Sequence, residues 1–331
     1  MTALAAPAAA RPLAARRWWR GSWVIGACFV VVAAVAVMAV FGSLIAPQNA
    51  YAQNLSAVLA GPSGAHWLGT DALGRDVFSR LIVGARTAML GPLVIAGGSM
   101  VVGNLLGLWA GYRGGWVDSV VMRWVDLMWS VPGLLVIIVV AGATGGGYWL
   151  SVVLLLVLTV PFDTRVVRAA TLEQVPRPYV EAARVLGVRD WRIMVFHIWP
   201  NVSPVAVANA FLNFAGSVGF IAALSFLGLG VAPGTPDWGL MLAEGESDLF
   251  ANPVAILAPA ALIVITAAAG GKPNRSLRAH HQAQQNQDSG APYRPERHPP
   301  AHPTERDPML AYRRRRQIVE QFRKFAAALR E

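Results

Sequence analysis

The chain has 331 residues, of which 55% are hydrophobic and 14% charged. Soluble globular domains carry about 25% charged residues, so this composition excludes an ordinary soluble domain and points to a chain whose solvent is lipid. Formal net charge is +10, unevenly placed: residues 272–331 carry 13 Lys/Arg against 6 Asp/Glu, whereas residues 1–271 carry 15 Arg against 12 acids and no lysine.

Residues 1–22 form a short basic segment with Arg11, Arg16, Arg17 and Arg20. Residues 23–45 then run without a charge, about 34 Å as a helix at ~1.5 Å per residue and enough to span. Ala50-Tyr51-Ala52 resembles a signal-peptidase site, but a signal h-region is only about 7–15 residues long, so a span is the better reading. Cys28 lies inside this run and supports neither a disulfide framework nor a metal cluster.

The second uncharged run is 87–112, between Arg86 and Arg113. Within it Gly103, Gly107 and Gly111 recur at helical spacing, which removes side chains from one face and lets a neighbouring helix approach. Glycine is also simply common in membrane helices, and the sequence does not say where the partner helix lies. Residues 127–162 form the third run, which at 36 residues is too long for one span. Gly142 and Gly145-Gly146-Gly147 interrupt it, which predicts two helices, about 124–143 and 148–165, joined by a tight hairpin. Residues 205–229, after Pro200 and Pro204, and residues 254–271 complete six spans.

Six spans place both termini on one side. With the N-terminus inside, twelve arginines before the tail fall on inner segments, and only Arg75, Arg80 and Arg86 fall outside. The positive-inside rule therefore fixes both termini in the cytoplasm. Asp118, Arg123 and Asp126 share one inner helix and are expected to form structural ion pairs. The central parts of the spans are expected to hold no ionisable residue.

The longest inner loop is 163–201. Pro178 permits a helix start, Glu181 and the alanines after it favour a short helix, and Gly187 is a natural stop. Asp190 is then placed to cap a second helix running to Pro200. From the residues alone this helix–turn–helix fits a groove-docking element and an ordinary amphipathic loop equally.

Glu181-Ala182-Ala183, Gly187, Ile198 and Pro200 resemble the EAA motif of permease subunits of bacterial ATP-binding-cassette importers. More narrowly, the chain is similar to C-type permeases of the dipeptide, oligopeptide and nickel importers. His66-Trp67-Leu68-Gly69-Thr70-Asp71, Gly74-Arg75-Asp76-Val77 and Gly84-Ala85-Arg86 resemble that group's outer segment after span one. Ala110-Gly111-Tyr112 with Gly114-Gly115 resembles its inner turn, and residues 224–230 with Trp238-Gly239 resemble the end of its fifth span.

The resemblance implies the six-helix fold of type I importer permeases and import of di- or oligopeptides delivered by an extracytoplasmic binding protein. Nickel is the alternative substrate. It also implies a homologous B-type permease and two ATPase subunits as partners, with ATP and Mg held on those ATPases and no cofactor on this chain. Glu181, Ala182, Ala183, Gly187, Ile198 and Pro200 would shape the ATPase contact. Arg184, Arg189 and Arg192 would pair with ATPase acids or stay solvated. The location implied is the bacterial cytoplasmic membrane.

The sequence contains no G-x-x-x-x-G-K-[ST], because Gly271-Lys272-Pro273 lacks the hydroxyl and the earlier glycine. His66 and His197 are isolated, and Ser225 has no local His or Asp to activate it, so no catalytic or metal site is expected. A secondary transporter or channel fits the hydropathy but would usually show buried charges or inverted repeats. The segment 272–331 departs from the family. Its Pro-rich stretch 292–308 is read as disordered, and residues 309–331, with Arg313-Arg314-Arg315-Arg316, as a basic amphipathic helix for anionic lipid rather than nucleic acid. A shifted reading frame or fusion is the expected origin of this tail.

Overall fold

The computed structural model describes residues 15–271. The basic tail 272–331, with the amphipathic helix expected at 309–331, lies outside the described residues. Within them every regular element is helical. α1 (Ala15–Ile45) is followed by an outer loop, then α2 (Val77–Arg113), α3 (Gly115–Trp129), α4 (Gly133–Thr144) and α5 (Tyr148–Gln174). The short α6 (Pro178–Val185) and α7 (Asp190–Arg192) lead through a π-helical turn, Ile193–Ile198, into α8 (Trp199–Phe226). α9 (Trp238–Gly245) and α10 (Val254–Gly271) follow. Among the described residues five helices are long and apolar enough to cross a membrane, and six if the bent pair α3–α4 counts as one. Phe29, Val40 and Leu44 of α1 stand exposed, as apolar side chains do when lipid is the solvent.

Several helix bounds differ from the hydropathy reading, each for a physical reason. α2 begins at Val77 rather than near 87. Asp76 caps it, accepting the Ser79 N–H at 2.8 Å, and Arg80, outside the uncharged run, is buried among acids within the helix. The third span is not one helix over 124–143: α3 and α4 are bent by 71° where Pro132 cannot continue α3 and instead precedes α4. α5 continues to Gln174 instead of stopping near 165.

The fifth span is likewise longer than 205–229, running without a break from Asp190 to Phe226. Pro200 sits in the first turn of α8 after the π turn, and Pro204 leaves the Pro200 carbonyl without its helical donor. The Ser203 hydroxyl supplies one at 3.1 Å.

α2 is the central helix, packing on α1, α5 and α8. Its seam with α5 is built on glycine. A Cβ at Gly107 would lie 2.8 Å from both the Thr164 carbonyl and Val167 Cβ, and one at Gly111 would lie 2.8 Å from Thr171 Cβ. Gly103 meets Asp163 in the same way. The partner of the glycine face is therefore α5 of this chain. Near the outer end of this seam, the Tyr148 hydroxyl accepts the Gly91 N–H at 2.7 Å and donates to the Thr87 carbonyl at 2.5 Å. Those two groups bond each other in a regular α-helix; the tyrosine is spliced between them, one residue before Pro92.

Candidate functional site

The inner loop folds into a tight unit because its ends close on themselves. Pro178 occupies the first turn of α6, where no N–H is required, and Glu181 lies in that turn, where a negative charge suits the helix dipole. Gly187, at φ +73°, ends the helix in a Schellman motif: its N–H bonds the Arg184 carbonyl at 3.0 Å, and the Val188 N–H bonds the Ala183 carbonyl at 3.1 Å. Val180, Ala183, Ile193 and Ile198 are buried with Leu108, Val167 and Val202, so α6 is pinned to the inner ends of α2, α5 and α8.

Two side chains tie this unit to α2. The Tyr112 hydroxyl donates to Asp190 Oδ1 at 2.9 Å, and the Arg184 guanidinium lies 5.1 Å over the Tyr112 ring. Asp190 is thus not the side-chain cap expected of it; it stands in the first turn of α7 and reaches across to α2. Tyr179 makes a second tie, donating to Gln174 at 2.9 Å and accepting from Asn201 at 3.3 Å; burial pushes its phenol up from the ordinary value.

The residues of the motif divide by face. Ala183 and Ile198 are buried, while Glu181, Ala182, Arg184, Gly187, Arg189, Arg192 and Pro200 are exposed. The most exposed apolar side chains here are Val185 at 83% and Leu186 at 80%, at the tip where α6 ends. Neither stands out in the sequence, although both directly precede the helix-stopping Gly187. An apolar pair left in water at a rigid turn is what a docking surface presents.

Beside the loop, Arg168 pairs bidentately with Asp118, and Arg165 donates to Asp126 at 2.5 Å. Both pairs join α3 to α5, so the ion pairs expected along one helix run between two.

Deeper in the helix bundle is a polar cluster that the hydropathy reading excluded. Asp163 lies within α5, not in a loop, and is buried. Asn209 and Asn213 of α8 both donate to its Oδ1, the latter at 2.6 Å, while Oδ2 has no partner. The signal for it in the sequence is the i, i+4 pair Asn209 and Asn213 in the middle of a largely apolar helix. Next to this cluster α4, α5 and α8 border a cavity of about 420 Å³, with Asn213 in its wall.

At the outer end, Arg75 bonds Asp71 at 2.6 Å and Glu244 at 2.7 Å, and Arg80 bonds Glu244 at 2.8 Å. The outer loop is thereby fastened to α9, whose Trp238 indole donates to the Leu81 carbonyl at 2.9 Å. His66 is the neighbour of Asp76, at 3.0 Å. Among the described residues no cluster of His, Cys, Asp and Glu could hold a metal ion.

Known proteins share much of this chain. Residues 103–271 match the family described as binding-protein-dependent transport system inner membrane component. The chain is 37% identical to a glutathione transport system permease protein of Pectobacterium atrosepticum, over 62% of this chain and 68% of that one. It is 32% identical to a probable D,D-dipeptide transport system permease protein of Escherichia coli, over 72% and 80%. With a dipeptide transport system permease protein of Alkalihalophilus pseudofirmus the identity is 31%, over 71% and 78%. A solved structure of the methionine ABC transporter in an inward-facing conformation aligns with TM-score 0.48 and 22% identity, covering 60% of this chain and 95% of that one. Matched by that profile and by relatives along most of their lengths, the chain belongs to the family of binding-protein-dependent transport system inner membrane components.

Proposed function

We propose that this chain is one membrane-spanning subunit of an ATP-driven importer and translocates di- and oligopeptides handed to it by an extracytoplasmic binding protein. The observation that carries this reading is the exposed apolar tip of α6, held rigidly on the arginine-rich side of a chain whose relatives are named as permeases of dipeptide and glutathione transport systems. Both named substrates are short peptides.

On this reading a homologous permease completes the path, and two ATPase subunits bind ATP and Mg while this chain binds no cofactor and catalyses nothing. Val185 and Leu186 enter a cleft of the ATPase. Ala182 and Gly187 keep the surface around them small, and Glu181, Arg184, Arg189 and Arg192 surround it with charge. Ala183 and Ile198 act from inside, holding α6 against α8 near Pro200. Movement of the tip passes through Asp190 and Arg184 to Tyr112 and so to α2, as a rigid-body displacement. The bias of arginines supports an orientation with both termini on the cytoplasmic face of the bacterial membrane.

The test is co-purification with the homologous permease and ATPases, followed by peptide-stimulated ATP hydrolysis and uptake in liposomes. Uptake by this chain without ATPase subunits would overturn the importer reading.

A further inference from the structure

The geometry points to Asn213 as the group in this subunit that reads the main-chain amide of a passing peptide, with Asp163 as the residue that positions it. This rests on the peptide-import reading and deepens it.

The cavity between α4, α5 and α8 has a volume of about 420 Å³, within the ~300–1,000 Å³ usual for small-ligand sites. Its wall is mainly apolar, with Ile137, Leu155 and Phe220 among the lining side chains, and its polar side chains are Thr159, Asn213 and Ser217. All three are uncharged, so the wall offers hydrogen bonds without a fixed charge. That suits a ligand whose constant feature is a neutral amide while its side chains vary.

The three polar groups are not scattered. Asn209, Asn213 and Ser217 follow each other at i, i+4 along α8, and Thr159 and Asp163 do the same along α5, so each set forms a stripe on one helix face. The Thr159 hydroxyl is already committed to the Leu155 carbonyl at 2.7 Å. Asn213 differs: its amide N–H is held at 2.6 Å by Asp163 Oδ1, which leaves one N–H and its carbonyl for another partner.

Asp163 is a costly way to hold a helix pair together, since a buried acid in a membrane segment is rare and usually functional. Its Oδ1 accepts from both Asn209 and Asn213, and its Oδ2 remains buried and unpartnered. Packing alone would be served by an apolar residue at 163 without that orphaned oxygen. A fixed acceptor behind Asn213 instead sets the orientation of the carboxamide at the cavity wall, so that the ligand does not bear the cost of ordering it.

The experiment uses the assembled importer in liposomes, with uptake of a dipeptide compared with that of the same dipeptide N-methylated at its amide. The ratio of the two rates is measured for wild type and variants, so selection by the unchanged binding protein cancels. Asn213→Ala is expected to lower the ratio about five- to tenfold, the scale of one lost hydrogen bond. Asp163→Ala should shift it in the same direction, and Asp163→Asn, which keeps an acceptor, should restore it. Should Asn213→Ala fail to assemble, Asn213→Thr keeps a hydroxyl for Asp163 without the paired carbonyl and N–H, and is expected to lower the ratio as well. A ratio equal to that of wild type, whether both substrates move normally or both slow together, overturns the assignment. Wild-type importer that takes up no dipeptide overturns the peptide-import reading itself.

Discussion

Replacing Tyr148 by Phe removes one oxygen atom and keeps the ring, which isolates the splice in α2. The hydroxyl serves two main-chain groups at once, the Gly91 N–H at 2.7 Å and the Thr87 carbonyl at 2.5 Å. Once it is gone, the two either bond each other or stay unpaired. Direct pairing requires the turn to tighten around Pro92, whose ring crowds the carbonyl four residues earlier. Full re-pairing would limit the loss to about 1 kcal/mol, whereas two buried unpaired groups would cost about 1–3 kcal/mol each. With the proline opposing closure, we expect about 2 kcal/mol, or roughly 4–8 °C in Tm at ~2–4 °C per kcal/mol. Thermal unfolding of the purified permease assembly measures it, together with amide hydrogen exchange at Gly91. Gly91→Ala should act in the same direction, because its Cβ would lie 2.7 Å from the Tyr148 hydroxyl. A Tyr148→Phe protein within about 1 °C of wild type, with unchanged exchange at Gly91, would show that α2 closes its own bond and that the splice contributes nothing.

Gly107→Ala should weaken the α2–α5 seam by about 1–3 kcal/mol, since its methyl group meets main chain and not a yielding side-chain end; the lowered unfolding temperature should be absent from an alanine at Gly97, where a Cβ meets nothing within 4 Å. Glu244→Gln should cost about 3–5 kcal/mol, because Arg75 and Arg80 are both buried and both bond this carboxylate; yield and thermal unfolding of the purified chain check it. Leu186→Glu should leave unfolding unchanged, its side chain being 80% exposed, yet abolish co-purification with ATPase subunits.

Hydropathy locates the spans because lipid demands runs of apolar residues, and the hairpin between α4 and α5 lies at the three consecutive glycines that suggest it. What hydropathy misses are charges cancelled from a distance. Arg80 lies outside the uncharged run 87–112 in sequence, yet its partner Glu244, 164 residues away, lets the helix pass through it. Asp163 reads as a loop residue for the same reason: its partners Asn209 and Asn213 belong to another helix. The inner loop is more legible because Pro178 and Gly187 act locally through backbone geometry. Which of its residues face outward is not, since that depends on where α2 and α8 lie. Small size alone marks both Ala182 and Ala183, but only the second is buried.

These ties converge on α2. Its outer end is bound through Arg80 to Glu244 and through the Leu81 carbonyl to Trp238, so it belongs with the outer loop and α9. Its inner half is seated against α5 by Gly103, Gly107 and Gly111 and carries in its last turn Tyr112, which holds Asp190 and Arg184 of the inner loop. A displacement entering at α6 therefore meets α2 at one end, while the outer cap holds the other. Between the two attachments lies Pro92, in a turn completed by the Tyr148 hydroxyl. A turn interrupted by proline and an inserted side chain is where helices bend, so opposed loads on the two ends of α2 would concentrate there. The tyrosine is supplied by α5, the same helix that carries Asp163 and borders the cavity, and bending at that turn would reach the cavity wall without crossing any loop.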